Sequence, residues 1–447
     1  MTSPLSHQAV TDKRVWMLAG PMILSNISVP LVGAVDTAVV GHLGATHYIG
    51  AVAVGALIFS FLYWGFGFLR MGTTGFVAQA LGAQNHQEIT HIFVRVVSLA
   101  LGIGGLVILV GPWLISLALQ LIDSTPAVEQ LAKEYALIRV FSAPATLCVF
   151  AFTGVLIGMQ NTKGALLLQL VLNLSNILLD LLFVPVLNMG VAGVAWATLI
   201  SEYLAMIAGF FLLRKMVSGA FSKFNAKAIY EWSVIKQLML ANGDIFVRTL
   251  CLVFAFAYFT AQGAKLGELY LAVNAILLHF QSIAAYAMDG FAFAAEGLVG
   301  SAFGERNKRR FRLAVSISAK WAVISALLIG AIYGLFSWPL MALFTDQQAV
   351  LALAHSYTPW LVVLPIVSVW SFVLDGIFIG TTQTAAMRNA MLVSTAFYLV
   401  CVWASVPIWG NQGLLLSLCL FMIMRAVTLW LLYPRVLAQL DDVDESA

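Results

Sequence analysis

Two acidic residues in the first half of this chain lie in apolar stretches together with amide and hydroxyl side chains. Asp36 lies in NISVPLVGAVDTAVVGHLG, with no basic residue nearby in sequence, and Asp180 ends the segment NLSNILLD. The spacing of Asn173, Asn176 and Asp180 places them on one face of a helix, and Thr198 lies on the next apolar segment. Carboxylate, amide and hydroxyl oxygens are suitable ligands for Na⁺, and carboxylates can also be neutralised by protons. We therefore predict a proton or Na⁺ site that couples the protein to an ion gradient, with Asp36 and Asp180 as its acids and amide and hydroxyl oxygens as further ligands.

The segments that carry these residues are predicted to be membrane-spanning helices. Of the 447 residues, 61% are hydrophobic and only 10% are charged, whereas about 25% are charged in ordinary soluble domains. Apolar stretches recur along the chain, each long enough to supply the roughly 20 residues that cross a bilayer as a helix. These unbroken apolar runs argue against a β-barrel, whose strands alternate with period two. We predict an all-α integral membrane protein with twelve transmembrane helices.

Basic residues predict the orientation, because Lys and Arg accumulate in cytoplasmic loops. They concentrate in connectors such as RNKRR, while the outer connectors are expected to hold little beyond Lys133, Arg139 and Lys265. Both termini are therefore predicted to be cytoplasmic. The RNKRR segment indicates contact with the lipid bilayer rather than with nucleic acid. The four cysteines are isolated in apolar runs, which is typical of packing residues rather than of a metal or redox site.

The chain contains an internal repeat. GFVAQALGAQN aligns with GLVGSAFGERN, GVLIGMQNT aligns with GIFIGTTQT, and MLA recurs. All three alignments have the same offset, which places Gly75 on Gly297. We call this offset the repeat shift. We predict two homologous six-helix bundles, an N-lobe at 1–217 and a C-lobe at 237–447, joined by a cytoplasmic linker at 218–236. Because six is even, both halves enter the membrane from the same side, as in transporters whose substrate binds between parallel repeats. The repeat therefore indicates a transporter.

The acidic residues of the predicted cation site are present in only one half. A demand of the fold alone would more often appear in both halves, so the asymmetry favours a cation or proton site in the first half. At the repeat shift, Asp36, Asn176 and Asp180 correspond to Tyr258, Tyr398 and Val402.

Two prolines precede Asp36 in the first predicted helix. Pro21 and Pro30 each remove a backbone donor and so create places where the helix can bend. The hypothesis is that a charged Asp36 holds the helix straight through polar contacts with the face of Asn176 and Asp180, and that a neutral Asp36 releases it. The alternative is that both are ordinary membrane-helix prolines held by packing.

Other polar residues in the spans have structural interpretations. Asp244 and Arg248 are four residues apart and are expected to neutralise each other on one helix. Arg70 and Arg425 lie close to span ends and are expected to extend towards the membrane surface. Glu202 follows a run of small residues and is either a helix-contact residue or a member of the site.

A substrate cleft is predicted from the remaining polar positions and from the abundance of soft apolar side chains. Aromatic residues make up 12% of the chain, and there are 15 Met. A cleft lined by Met, Phe and Trp would accept flat amphipathic cations with little selection for shape. The candidate cleft residues are Asn173, Glu202, Asn274, Gln281, Asp289 and Asp375.

Four segments together, PLVGAVDTAVVGHLG, GFVAQALGAQN, NLSNILLD and YAMDGFAFAAEGLVGSAFGERN, resemble the multidrug and toxic compound extrusion (MATE) family, in its DinF-like bacterial branch. The resemblance implies an inner-membrane antiporter that expels cationic or amphipathic drugs in exchange for H⁺ or Na⁺. It implies that the cation site comprises Asp36, Asn176, Asp180 and Thr198. It also implies that the first helix bends at Pro21 rather than at Pro30.

We predict a proton-coupled multidrug exporter that is not an enzyme, uses no cofactor, takes small-molecule drugs as substrates and works as a monomer. A Na⁺-coupled drug antiporter stays open as an alternative. A lipid-linked flippase would be expected to cluster Arg and Lys for a pyrophosphate, for which only Arg70, Arg248 and Arg425 could serve. An intramembrane enzyme is the third alternative, but the histidines make no catalytic spacing with an acid or a nucleophile.

Overall fold

The computed structural model describes residues 9–43, 46–122, 124–217 and 229–440. In this part of the chain, twelve helical stretches are long and apolar enough to cross a membrane, which agrees with the predicted all-α fold. The helices of the first half are α1 (Asp12–Gly41), α2 (Thr46–Gly65), α3 (Phe68–Gly82), α4 (His86–Leu121), α5 (Pro126–Arg139), α6 (Ala143–Gly158), α7 (Thr162–Leu181) and α8 (Gly190–Val217). Those of the second half are α9 (Trp232–Leu266), α10 (Glu268–Gly304), α11 (Lys308–Met341), α12 (Gln348–Ser356), α13 (Thr358–Gly380), α14 (Thr384–Trp409) and α15 (Asn411–Ala438).

Two candidate spans combine a pair of helices each. One contains α2 and α3, and the other contains α5 and α6, which a 3₁₀ turn at Val140–Ser142 joins. A π turn at Leu182–Val186 follows α7 and ends near Pro185, where a backbone donor is missing. The short α12 lies outside the candidate spans.

The internal repeat is visible in the backbone itself. Asn85 and Asn307 cap α4 and α11 in the same way, each accepting a hydrogen bond from the backbone N–H three residues later, at 3.0 and 2.9 Å. Residues with positive φ are uncommon outside glycine, yet three of them in the first half have a partner at the repeat shift with nearly the same angle. These pairs are Gln84 (56°) and Arg306 (56°), Gln160 (57°) and Thr382 (55°), and Asn188 (55°) and Gly410 (55°).

Close helix packing repeats at the same shift. A Cβ on Gly154 of α6 would lie 2.5 Å from a carbonyl oxygen of α3, and a Cβ on Gly376 of α13 would lie 2.6 Å from a carbonyl oxygen of α10. Gly158 and Gly380, one turn later, meet the same neighbouring helices equally closely. Small residues four apart let membrane helices approach backbone to backbone. These glycines therefore fix the separation of corresponding helix pairs in the two halves.

The chain packs as two compact units, which we name by their main segments. The N unit is Leu24–Met239, and the C unit is Met1–Ile23 together with Leu240–Ala447. Helix α1 thus changes unit two residues after Pro21, although the predicted N-lobe at 1–217 contained all of it. The predicted lobe boundaries stay predictions, and residues 218–228 of the predicted linker lie outside the described part of the chain.

The beginning of α1 is held by specific contacts inside the C unit. The Trp16 ring packs edge-on against Phe291 and Trp321, with ring centroids 5.2 and 5.3 Å apart. Asp12 accepts a hydrogen bond from Trp321 Nε1 at 2.6 Å and pairs with Lys320. These contacts attach the beginning of α1 to α10 and α11.

Candidate functional site

The polar face of α7 packs against α8 in the N unit. Asn176 and Asp180 are buried, with 2% and 0% of their surface exposed. Asn176 Nδ2 donates to Thr198 Oγ1 at 3.2 Å, and Thr198 Oγ1 donates to the backbone oxygen of Val194 at 3.0 Å. Because the Thr198 proton is already used by its own helix, the hydroxyl oxygen faces α7 as an acceptor. The structure therefore brings Asn176, Asp180 and Thr198 together.

Asp36 of α1 completes this cluster. Its carboxyl group lies close enough to the Asp180 carboxyl group for the two to interact electrostatically. Two ionised carboxylates at close range repel each other, so a proton or a cation that neutralises one of them stabilises the arrangement.

Four oxygens of the cluster have no hydrogen-bond partner among the described residues. They are Asp36 Oδ1, Asn176 Oδ1, Asp180 Oδ1 and Asp180 Oδ2. Buried acceptors without donors are costly and call for an explanation. A proton or a hard monovalent cation would satisfy them, and the residues present fit either.

Asn173 lies on the same face of α7 and connects this helix to α1. Its Nδ2 donates to Ser28 Oγ of α1 at 2.7 Å, and its Oδ1 accepts from Gln169 Nε2 at 2.9 Å. The prediction that Asn173 lines a substrate cleft is not tested, but its amide is engaged at both ends. The contact fixes the middle of α1 against α7, two helical turns before Asp36.

The structure adds Arg139, which was expected in an outer connector and which is the last residue of α5. The candidate span Pro126–Gly158 contains it together with Lys133, and its position relative to the membrane stays a prediction. Its Nη1 donates to Tyr135 OH at 2.9 Å, and its guanidinium lies over the rings of Phe59 and Tyr135, 5.0 and 5.7 Å from their centroids. The spacing of Tyr135 and Arg139 by four residues is the sequence signal that places both on one helix face.

Arg139 lies within electrostatic reach of three carboxyl groups, those of Asp36, Asp180 and Glu202. Glu202 of α8 is buried, interacts with the Thr146 hydroxyl, and has Oε2 without a hydrogen-bond partner. The N unit therefore gathers three acids around one guanidinium.

Helix α1 is continuous through Pro21 and Pro30, since it is helical from Asp12 to Gly41. The change of unit between Ile23 and Leu24 lies closer to Pro21 than to Pro30. Their roles as hinges stay predictions.

In the C unit, Asp375 of α13 binds two arginines. Its Oδ2 accepts from Arg425 Nη2 of α15 at 2.7 Å and also pairs with Arg248 Nη2 of α9. All three side chains are buried. The expectation that Arg425 extends to the membrane surface is therefore wrong, because its guanidinium is held inside the unit.

Asp244 of α9 pairs with α14 and not with the arginine on its own helix. Its Oδ1 accepts from Arg388 Nη1 at 2.5 Å, and its Oδ2 accepts from Thr384 Oγ1 at 3.0 Å. The predicted neutralisation of Asp244 by Arg248 is wrong, because each finds its partner on another helix.

The other predicted cleft residues of the second half also have partners within the C unit. Asn274 and Asn411 exchange two amide hydrogen bonds of 2.7 and 3.0 Å. Gln281 Nε2 donates to Ser368 Oγ at 3.3 Å, and Asp289 interacts electrostatically with Arg425. Asn274 also borders a cavity of about 270 Å³ between α9 and α10.

A duplicated bundle of membrane helices with an acid pair in one half defines the chain as a membrane transporter. The family described as MatE matches residues 21–182 and 245–403. The chain is 40% identical over 430 residues to DNA damage-inducible protein F of Escherichia coli (strain K12), covering 95% of this chain and 92% of that protein. The chain therefore belongs to the MatE family, as the resemblance predicted.

More distant relatives agree with this assignment. Multidrug and toxin extrusion protein 2 of Oryctolagus cuniculus is 24% identical over 437 residues, covering 94% of this chain and 67% of that protein. A solved multidrug resistance MATE family transporter of the MOP superfamily, in an outward-facing conformation, superposes with a TM-score of 0.87 at 20% identity, covering 96% of each chain. The twelve-helix fold and the multi-pass membrane location are thereby confirmed.

Proposed function

We propose that this transporter exports cationic or amphipathic drugs across the bacterial inner membrane in exchange for protons, as a monomer with both termini in the cytoplasm. Its small-molecule substrates follow from the names of its relatives, which include multidrug and toxin extrusion proteins. The observation that carries the coupling proposal is the proximity of the Asp36 and Asp180 carboxyl groups, which contain three of the four oxygens without hydrogen-bond partners.

The proximity of the two carboxyl groups favours protons because a proton on either group removes the repulsion between two ionised carboxylates. A close pair of acids takes up and releases protons as a unit, since each group responds to the charge of the other. Na⁺ is the alternative coupling ion, held by the same oxygens together with Thr198. H⁺ and Na⁺ would compete for the same oxygens. A gradient of one of these ions alone would therefore be enough to drive transport.

Helix α1 would convert the occupancy of the site into a change of shape. Asp36 lies on the part of α1 that belongs to the N unit, whereas the part before Leu24 belongs to the C unit. In the proposal, a charged Asp36 keeps α1 straight against Asn176 and Asp180. A neutral Asp36 lets α1 bend at Pro21, where a backbone hydrogen bond is absent.

The experiment measures efflux of a fluorescent organic cation from proteoliposomes, driven by a pH gradient alone or by a Na⁺ gradient alone. The wild type should respond to the pH gradient, and Asp36→Asn should lose most of that response. Tyr258→Phe is the matched control, because Tyr258 occupies the corresponding position of the second half. It should transport like the wild type.

Two results would overturn the proposal in different ways. A wild type driven only by Na⁺ would show that the coupling ion is wrong and leave the family assignment intact. Full pH-driven efflux by Asp36→Asn would show that this carboxyl group does not couple transport.

The flippase alternative receives no support from the second-half arginines. Arg248 and Arg425 both bind Asp375, so their charge is already balanced by a carboxylate inside the C unit. A pyrophosphate would have to displace that carboxylate.

A further inference from the structure

We propose that Arg139 is a tethered counter-ion that takes the place of one transported cation in the N unit and thereby sets how many positive charges the site takes up per cycle. This inference rests on the proposed function, because it concerns the ion site of that function. It adds a residue that determines the coupling ratio.

The position of Arg139 is fixed from several sides. Nη1 is bound to Tyr135 OH, and the guanidinium is held over two aromatic rings. A guanidinium stacks well on aromatic faces and keeps its charge at every physiological pH. Arg139 is therefore a permanent positive charge that cannot leave the site.

The titratable groups that interact electrostatically with Arg139 come from five helices of the N unit. They are Asp36 of α1, Tyr63 of α2, Tyr135 of α5, Asp180 of α7 and Glu202 of α8. The Tyr63 hydroxyl also shares a hydrogen bond of 3.1 Å with Ser142 Oγ. Of these groups, only the three acids belong to residue types that ionise below neutral pH in water, whereas tyrosine is neutral there.

The charge balance gives Arg139 its role. A net charge buried in a membrane protein is costly, so an occluded site tends towards neutrality. One of the three acids is balanced by Arg139, and the remaining two need protons or monovalent cations. Without the guanidinium, the same three acids would need one cation more.

The second half supports the view that these four residues form one functional set. At the repeat shift, the guanidinium and all three acids are absent together, although the helices that carry them are present. Arg139, Asp36, Asp180 and Glu202 correspond to Leu361, Tyr258, Val402 and Met424. A guanidinium needed only for packing of the fold would have no reason to be lost with the acids.

The experiment measures the number of charges exchanged per drug molecule, from the membrane potential at which drug flux reverses in proteoliposomes with fixed pH and Na⁺ gradients. A fluorescent monovalent cation serves as the drug. Arg139→Gln should exchange one more positive charge per drug than the wild type, and Glu202→Gln should exchange one fewer. Arg139→Lys, which keeps the charge, should match the wild type.

The double variant separates a charge role from a packing role. Arg139→Gln with Glu202→Gln restores the net charge and should return the ratio to the wild-type value, although both native side chains are missing. A double variant that keeps the ratio of Arg139→Gln, or an unchanged ratio in both single variants, would refute the inference.

Folding and proposed function are controlled separately. If Arg139→Gln does not fold, the comparison of Glu202→Gln with the wild type still tests the inference. An unchanged number of charges exchanged per drug molecule in Glu202→Gln would contradict the proposed charge balance. If the wild type shows no gradient-driven flux, the proposed function fails. A wild type that transports while its variants keep its ratio would refute only the role of Arg139.

Discussion

Asp375→Asn removes the carboxylate that holds two buried arginines of the C unit. Only 10% of the Asp375 side chain is exposed, with 7% for Arg248 and 3% for Arg425. The substitution leaves a neutral amide between the two guanidiniums. The amide has nearly the same shape as the carboxylate but carries no charge. The variant therefore tests whether the cluster stabilises the fold.

The expected magnitude follows from burial. Removing one partner from a buried ion pair costs about 3–5 kcal/mol, because the other charge stays buried and uncompensated. Asp244→Asn is the matched control, since its partner Arg388 has 36% of its side chain exposed, and an ion pair with a solvent-exposed partner contributes about 1 kcal/mol or less. For a unit of about 200 residues, these values correspond to a fall in Tm of about 6–20 °C for Asp375→Asn and at most about 4 °C for Asp244→Asn.

Thermal unfolding in one detergent, followed by exposure of the buried Cys419 to a thiol-reactive dye, measures both variants. A rescue variant that replaces Arg248, Asp375 and Arg425 together by Met, Leu and Met should melt well above Asp375→Asn, because apolar side chains of similar volume often replace a buried ion cluster without loss. Equal melting of Asp375→Asn and Asp244→Asn would refute the reasoning. So would a rescue variant that melts no higher than Asp375→Asn.

Two further predictions concern helix contacts. Gly154→Ala and Gly376→Ala should each lower the free energy of unfolding by about 1–3 kcal/mol, because the new methyl group meets a carbonyl oxygen 2.5 or 2.6 Å away. In the same thermal assay, Gly105→Ala, which meets nothing within 4 Å, should be neutral or slightly stabilising; equal losses at all three positions would contradict the prediction. Asn173→Leu should increase deuterium exchange in the part of α1 around Ser28, since the 2.7 Å bond between them is lost; unchanged exchange there would show that this bond does not hold α1.

Most of the fold could be predicted from the sequence because its signals are local or periodic. Apolar runs of span length indicated the twelve helices, and motif pairs at one shift indicated the duplication. The spacing of Asn176 and Asp180 on one helix face likewise depended only on residues close together in the chain. Local patterns of this kind survive into the structure because a membrane helix must satisfy its own backbone.

Ion pairs between helices could not be predicted in this way. The Arg248–Asp375 and Asp244–Arg388 pairs join residues 127 and 144 positions apart. A helix face shows that a charge needs a partner but not which neighbouring helix supplies it, so the pairing of Asp244 with Arg248 was the wrong choice. Arg139 was not predicted as a site residue because the acids that interact with it, such as Glu202, lie far from it in the chain.

The central claim is that Asp36 and Asp180 form one coupling unit, and a double-mutant cycle tests it most directly. Initial rates of pH-driven drug efflux are measured for the wild type, Asp36→Asn, Asp180→Asn and the double variant at equal protein content. Residues that act as a unit show strongly non-additive losses, so the double variant should be no slower than the slower single variant. Losses that multiply in the double variant would show two independent carboxyl groups and contradict the account.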